Sequence, residues 1–290
     1  MVTFIWGATF VIIQQALEEI SVTWFLFYRF FLASLISLCI LAIFLFRKKD
    51  ARTTKINLLN VRGWFLGVLL FGSYLFQTIG LNYTTPSNAA FITSLSVILV
   101  PVVLILKGKR LSRLSTISFL LATFGLLFIT IGINFSTLNF NFGDIIILGT
   151  AICLAFQIIY TDQFVKVYDP LELTLTQLFS TTVLSFLFAV IFEPQSFHVI
   201  IYYSFTVLGA IVFTALLATL YGFFVQTYAQ ITVNPILIAI IFTFEPIFAL
   251  LFSLWSGVEE LTYVRTLGML LILSATFLAI YQEYTSNENG

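Results

Sequence analysis

Charge is what this chain has least of. Lys, Arg, Asp and Glu make up 9% of its 290 residues, against about 25% in an average soluble protein. With 60% hydrophobic residues and a mean hydropathy of +1.07, too little polar side chain is present to solvate a globular surface. No polar stretch is long enough for a separate soluble domain; the longest, from Arg47 to Arg62, reads as a loop. Lys and Arg balance Asp and Glu at 13 each, so no basic excess points to a nucleic-acid partner. The two cysteines, Cys39 and Cys153, both lie inside apolar runs and read as small buried hydrophobes rather than a disulfide or metal ligands. The single histidine, His198, falls in a connection without Cys or carboxylate company, so no metal site and no cofactor are expected.

What remains is apolar sequence cut into membrane-crossing lengths, which makes the bilayer the main partner. The first run, Val2 to Leu17, is 16 residues long. At about 1.5 Å per residue it covers roughly 24 Å of a hydrocarbon core about 30 Å thick. No basic segment precedes it and no cleavage signal follows, so it reads as a short first span rather than a signal peptide. A start codon placed too late or a locally thinned bilayer would account for its length. Further spans read Val22 to Phe46, Gly63 to Tyr83, Asn88 to Leu106, Leu114 to Ile133, Gly143 to Gln163, Leu171 to Phe192, Ser204 to Tyr228, Ile236 to Trp255 and Val264 to Tyr281. The expectation is an all-α polytopic membrane protein of ten transmembrane helices.

Lys and Arg accumulate on the cytoplasmic side of membrane proteins. Six follow span two (Arg47, Lys48, Lys49, Arg52, Lys55, Arg62), four follow span four (Lys107, Lys109, Arg110, Arg113) and Lys166 follows span six. The alternate connections hold only Arg265, and Arg29 lies inside a span. Both termini are therefore expected in the cytoplasm.

The chain also repeats. Gln77, Thr78 and Pro86 recur as Gln226, Thr227 and Pro235 at an offset of 149, and Gln15 and Arg29 lie over Gln163 and Gln177 at an offset of 148. Chance likeness between apolar helices competes with duplication, but two segments agree on the offset and each half counts five spans. An odd number of spans makes the second copy enter from the opposite face, giving two inverted five-helix repeats, 1–133 and 143–281, and a short cytoplasmic tail, 282–290. In such architectures the substrate site lies near the midplane where the halves meet.

Several stretches resemble a known family. The short first helix with Trp6 and Gly7, the segment from Val22 to Phe30 ending in Arg29-Phe30, YTTPSNAAFITSLSVILVP from Tyr83 to Pro101, and EPIFALLFSLWSGVEELT from Glu245 to Thr262 are similar to the EamA-type branch of the drug/metabolite transporter superfamily. The resemblance covers nearly the whole chain and implies a carrier of amino acids, other small metabolites or drugs, usually outward. Lys109 stands where that family often has Glu, and the first helix lacks its usual N-terminal turns.

Glu245 is the one carboxylate in the run from Asn234 to Trp255, about ten residues and so roughly 15 Å into its helix. A carboxylate at that depth costs roughly 2.5 to 3.5 kcal/mol on insertion scales and needs a pathway, a partner or a proton. Two readings stand side by side: a group that loads and releases a proton during exchange, or a structural hydrogen-bonder beside Pro246, which frees a backbone carbonyl. Arg29, about 10 Å deep, either snorkels to Glu18 and Glu19 or reaches inward to pair with Glu245, a couple that a zwitterionic substrate could split. Gln77, Asn88, Gln177, Gln226 and Asn234, with Trp6, Tyr28, Tyr74, Tyr160 and Tyr221, could line a cavity; helix-to-helix hydrogen bonding is the competing role for the amides. Most of the 34 Phe are packing or lipid-facing residues, and Gly63 and Gly67 are packing notches. Two glycosylation triplets, Asn82-Tyr83-Thr84 and Asn134-Phe135-Ser136, carry no weight.

A transporter fits these features better than a membrane enzyme, which needs convergent catalytic groups, or a channel, which needs a filter or charged ring. With one intramembrane cation, a neutral or zwitterionic metabolite suits the chain better than a sugar phosphate or nucleotide. Coupling ion, direction and oligomeric state are not written in the residues.

Overall fold

A computed structural model describes residues 1–47, 56–131, 142–196, 203–255 and 261–288. His198 and the triplet at Asn134 lie outside the described residues. Within them the secondary structure is helical, without a strand. The helices are α1 (Val2–Ala16), α2 (Val22–Arg47), α3 (Val61–Leu81), α4 (Pro86–Ser94), α5 (Ser96–Leu106), α6 (Arg113–Ile131) and α7 (Phe142–Phe164). The second half holds α8 (Pro170–Phe192), α9 (Phe205–Phe213), α10 (Gly222–Ala229), α11 (Pro235–Phe242), α12 (Phe244–Trp255) and α13 (Tyr263–Glu288), with a π-helical stretch, Thr214–Tyr221, joining α9 to α10. Joined end to end, α4 with α5, α9 through α10, and α11 with α12 each make one span, so the helices form ten spans. Eight are long and apolar enough to cross a membrane, and Val2–Ala16 and Arg113–Ile129 are shorter apolar helices.

The helix starts follow from local chemistry. Pro86, Pro170 and Pro235 each open a span at the first helical position, where a missing N–H costs nothing. The residue before each caps it: Thr85 accepts from the Asn88 N–H, Asp169 from Leu171 and Glu172, and Asn234 from Leu237. These caps move the fourth, seventh and ninth spans one or two residues ahead of the expected starts. At the other end of the chain α13 runs on to Glu288, so 282–288, expected as a tail, continues the helix.

The packing carries the two-fold relation. Thr23 at the start of α2 donates to Glu193 just past the end of α8, so these helices run antiparallel. Asn60, the cap of α3, donates to Glu172 in the first turn of α8, so those two start at the same end. Helix pairs come in matched sets: α3 lies against α7 and α8 as the eighth span lies against α1 and α2, and α7 lies against α4 and α5 as α1 lies against α12. The pairs α2 with α8 and α6 with α13 are their own counterparts. Close approach in α3 needs its glycines: a Cβ on Gly63 would strike Thr176, and one on Gly67 would come within 2.8 Å of the Gln177 carbonyl. The two halves thus form two inverted five-helix repeats, and the largest apolar clusters draw on both.

Candidate functional site

Two spans are interrupted at positions that match to within one residue of the 149-residue offset. The fourth breaks at Leu95, between α4 and α5, and the ninth at Thr243, between α11 and α12. In each case the breaking residue's N–H turns back to carbonyls two and three residues earlier instead of four. Glu245 lies in the first turn of the second piece, α12, where the positive end of a half-helix favours a carboxylate. Pro246 reinforces the break, having no N–H for the preceding turn. The matching position in the first half is Ser96, at the start of α5, whose buried hydroxyl has no hydrogen-bond partner.

Glu245 is 4% exposed and makes no hydrogen bond or ion pair with the described residues. It borders a cavity of about 20 Å³ whose walls are Trp6, Thr9, Ser73, Tyr74, Gln77, Thr93, Leu154 and Phe223. That volume admits one water, not a metabolite. Helix α1 closes the site from one side: a Cβ on Gly7 would sit 2.9 Å from the Glu245 carbonyl and 2.8 Å from Phe248 Cβ, so only glycine permits this approach. Next to Gly7, the Trp6 Nε1–H donates to the Ala218 carbonyl at 2.7 Å, inside the π-helical stretch. Such stretches displace carbonyls from the regular ladder and occur often at functional sites.

Arg29 departs from both expectations. It is wholly buried, so it does not snorkel to Glu18 or Glu19, and it makes no ion pair with a carboxylate of the described residues. Its Nε–H donates to Thr219 Oγ1 at 2.7 Å, again in the π-helical stretch. The guanidinium carbon lies 4.3 Å from the Tyr74 ring centroid and 5.7 Å from that of Phe30. Nη1 and Nη2 make no well-aligned hydrogen bond; the Tyr74 side chain interacts with the guanidinium electrostatically and by a looser side-chain hydrogen bond, and the same residue walls the cavity.

Gln177 and Gln226 gather elsewhere. Gln226 Nε2 donates to Gln157 Oε1 at 2.8 Å and to Gln230 Oε1 at 3.3 Å, Gln157 Nε2 donates to Gln177 Oε1 at 3.4 Å, and Gln230 Nε2 donates to the Ile158 carbonyl. These four amides tie α7, α8 and α10 together, the helix-to-helix role. Asn234 caps α11, and Asn88 sits half-buried in the first turn of α4, so neither borders the Glu245 cavity. Tyr28 packs among Trp24, Phe27 and Tyr203. Tyr160 stacks with Phe156 and carries Lys107 over its ring at 4.4 Å. Tyr221 borders a separate cleft of about 470 Å³ between α2, α8 and the π-helical stretch, walled almost entirely by aliphatic and aromatic groups. Large as it is, that cleft offers nothing charged to fix a solute, and the smaller polar cavity is the better candidate.

Of the residues singled out in the sequence, the fold therefore brings Trp6, Tyr74 and Gln77 to Glu245, with Arg29 one ring behind. Thr9, Ser73, Thr93, Phe223, Thr219, Gln157 and Gln230 join these clusters without having been expected. Gln157 and Gln230 carried a usable signal, as lone amides in apolar stretches, with Gln230 one helical turn after Gln226. The hydroxyls carried none, since Ser and Thr also satisfy their own helix backbone, as Thr9 does toward the Trp6 carbonyl.

The comparisons agree with this architecture. Residues 1–131 and 141–281 match the model of the EamA-like transporter family. An uncharacterized transporter of Archaeoglobus fulgidus is 32% identical over 278 residues, covering 96% of this chain and 83% of its own length. A second uncharacterized transporter of the same organism is 22% identical over 290 residues, covering 97% and 95%. A protein crystal structure at 16% identity superposes with a TM-score of 0.74 over 98% of this chain and 96% of its own, which speaks to the fold alone. By family model and full-length relative together, this multi-pass membrane protein belongs to the EamA-like transporter family.

Proposed function

We propose that the protein is a secondary transporter of the cell membrane that exports small neutral or zwitterionic metabolites such as amino acids, with both termini in the cytoplasm and Glu245 as a proton-coupling group. The observation that carries this reading is a buried carboxylate with no hydrogen-bond or ion-pair partner among the described residues, beside a water-sized cavity, at a helix break that recurs in the opposite half. A Glu245 kept only for structure should bond a neighbouring helix, and it bonds none of the described residues. Burial without compensation penalises the charged form, so a proton taken up from one side and given to the other is an inexpensive way to carry the group through a cycle. The inverted halves supply the motion: rocking about their shared axis exchanges the open side. The cavity admits only water, which suits a state closed toward both sides. Lys and Arg gather in the connections assigned to the cytoplasm, which supports the orientation.

Counterflow in proteoliposomes tests the reading, with labelled amino acids screened at acidic and alkaline inner pH for wild type and Glu245→Gln side by side. The expected result is saturable exchange that responds to pH in wild type and not in the variant. Non-saturating electrogenic flux would indicate a channel instead. An identical pH response in both proteins would remove Glu245 from the coupling step.

A further inference from the structure

The geometry points to Arg29 as the recognition group for a single carboxylate on the transported solute, reached from the Glu245 cavity when the Tyr74 ring swings aside. This inference rests on the transporter reading above and adds the chemical class of the cargo. Arg29 is 0% exposed, and its fixed contacts use only part of the guanidinium: Nε–H is spent on the neutral Thr219 hydroxyl, while the Tyr74 ring lies against it with Phe30 packed beside that ring. Nη1 and Nη2, the forked end that matches the two oxygens of a carboxylate, are buried with no well-aligned hydrogen bond, the Tyr74 side chain being the group that interacts with the guanidinium there. Burying a charge and leaving its best donors unused is costly, and a protein tolerates it where a ligand completes the set.

Charge decides which ligand. No carboxylate of the described residues lies within ion-pair distance, so one negative charge is missing around Arg29. A monocarboxylate supplies one; a phosphate dianion would leave a second charge stranded in the low-dielectric interior. The route is short, because Tyr74 both walls the cavity and lies on the guanidinium. Since the closed cavity holds only a water, an entering solute must push back part of its wall. Displacing Tyr74 exchanges a ring contact and a loose hydrogen bond to a neutral phenol for a charge-assisted bidentate pair. Gln177, the residue matching Arg29 in the second half, also leaves Nε2 without an acceptor. An unused buried N–H therefore recurs at this place in both halves, and only the first half makes it cationic.

The test compares each common L-amino acid with its own primary amide, which keeps the ammonium and side chain and removes the carboxylate. Thermal unfolding of the purified full-length protein, in detergent with millimolar ligand, reads binding without requiring transport. At least one acid is expected to raise Tm while its amide does not, Arg29→Gln is expected to abolish that shift, and Arg29→Lys to shrink it by losing the fork. In counterflow, wild type should prefer the acid over its amide by at least about 100-fold, and Arg29→Gln should lose that preference. Equal shifts from acid and amide, no shift from any acid, or a full shift in Arg29→Gln would each overturn the assignment. If Arg29→Gln does not fold, an unchanged acid shift in Arg29→Lys overturns it as well. Acid binding through Arg29 without counterflow would sink the transporter reading and leave this one standing. Counterflow indifferent to the carboxylate and to Arg29 would do the reverse.

Discussion

Where the first half of the chain has Arg29, the second has Gln177; where the first has Gln77 beside a cavity, the second has Gln226 inside a network of amides. The helices that carry these residues pack alike, yet one cluster leaves a guanidinium and a carboxylate unpaired while the other hydrogen-bonds four amides together. The difference teaches that the duplicated scaffold fixes where polar groups can meet, and side-chain identity then decides between a site and a strut. Charges that cannot satisfy each other across Tyr74 leave work for a solute or a proton. Neutral amides satisfy most of one another and hold helices in place.

The strongest way to break the comparison is to neutralise the charged side. Glu245→Gln is expected to abolish the pH response of counterflow, since no other carboxylate borders that cavity. Giving the amide side a charge should damage the fold instead: Gln177→Arg buries a second guanidinium without a counter-ion, an expected loss of roughly 3–5 kcal/mol, read by thermal or denaturant unfolding in detergent. Gly67→Ala presses a methyl toward the Gln177 carbonyl and should cost about 1–3 kcal/mol by the same measurement, through forced separation of α3 and α8. The smallest effect is expected from Gln157→Leu, about 0.6–2 kcal/mol of lost interhelical bonding, with the pH response of transport unchanged. A change in that response would show that the amide cluster belongs to the pathway, and the contrast between the halves would fall.

Much of the fold was legible because membrane spans are long, apolar and separated by charge. The ten spans, the offset near 149 and the special standing of Glu245 all follow from one-dimensional patterns. Prolines were harder to read: Pro86 and Pro235 look like breakers in a string, but the Thr85 and Asn234 side chains before them turn each into a helix start. The break at Leu95 had no signal, because Ser94, Leu95 and Ser96 are compatible with a continuous helix. The π-helical turn was equally silent. Its sequence, TALLATLY, is ordinary, and Trp6 and Arg29 reach it from helices about 190 and more residues away in the chain.

Arg29 shows the same limit in one side chain. Depth alone left it between snorkelling and pairing with Glu245, and neither occurs among the described residues, because Thr219 of the π-helical stretch and Tyr74 of α3 reach it from two other segments. Composition, hydropathy and charge placement determined by themselves that the chain is a ten-span membrane protein in two halves, since the bilayer enforces span length and backbone satisfaction whatever the partners are. Only the tertiary structure decided which polar residues share a cavity, which tie helices together and which stay unpaired, because those outcomes depend on contacts between segments far apart in sequence, and burial makes each polar contact count.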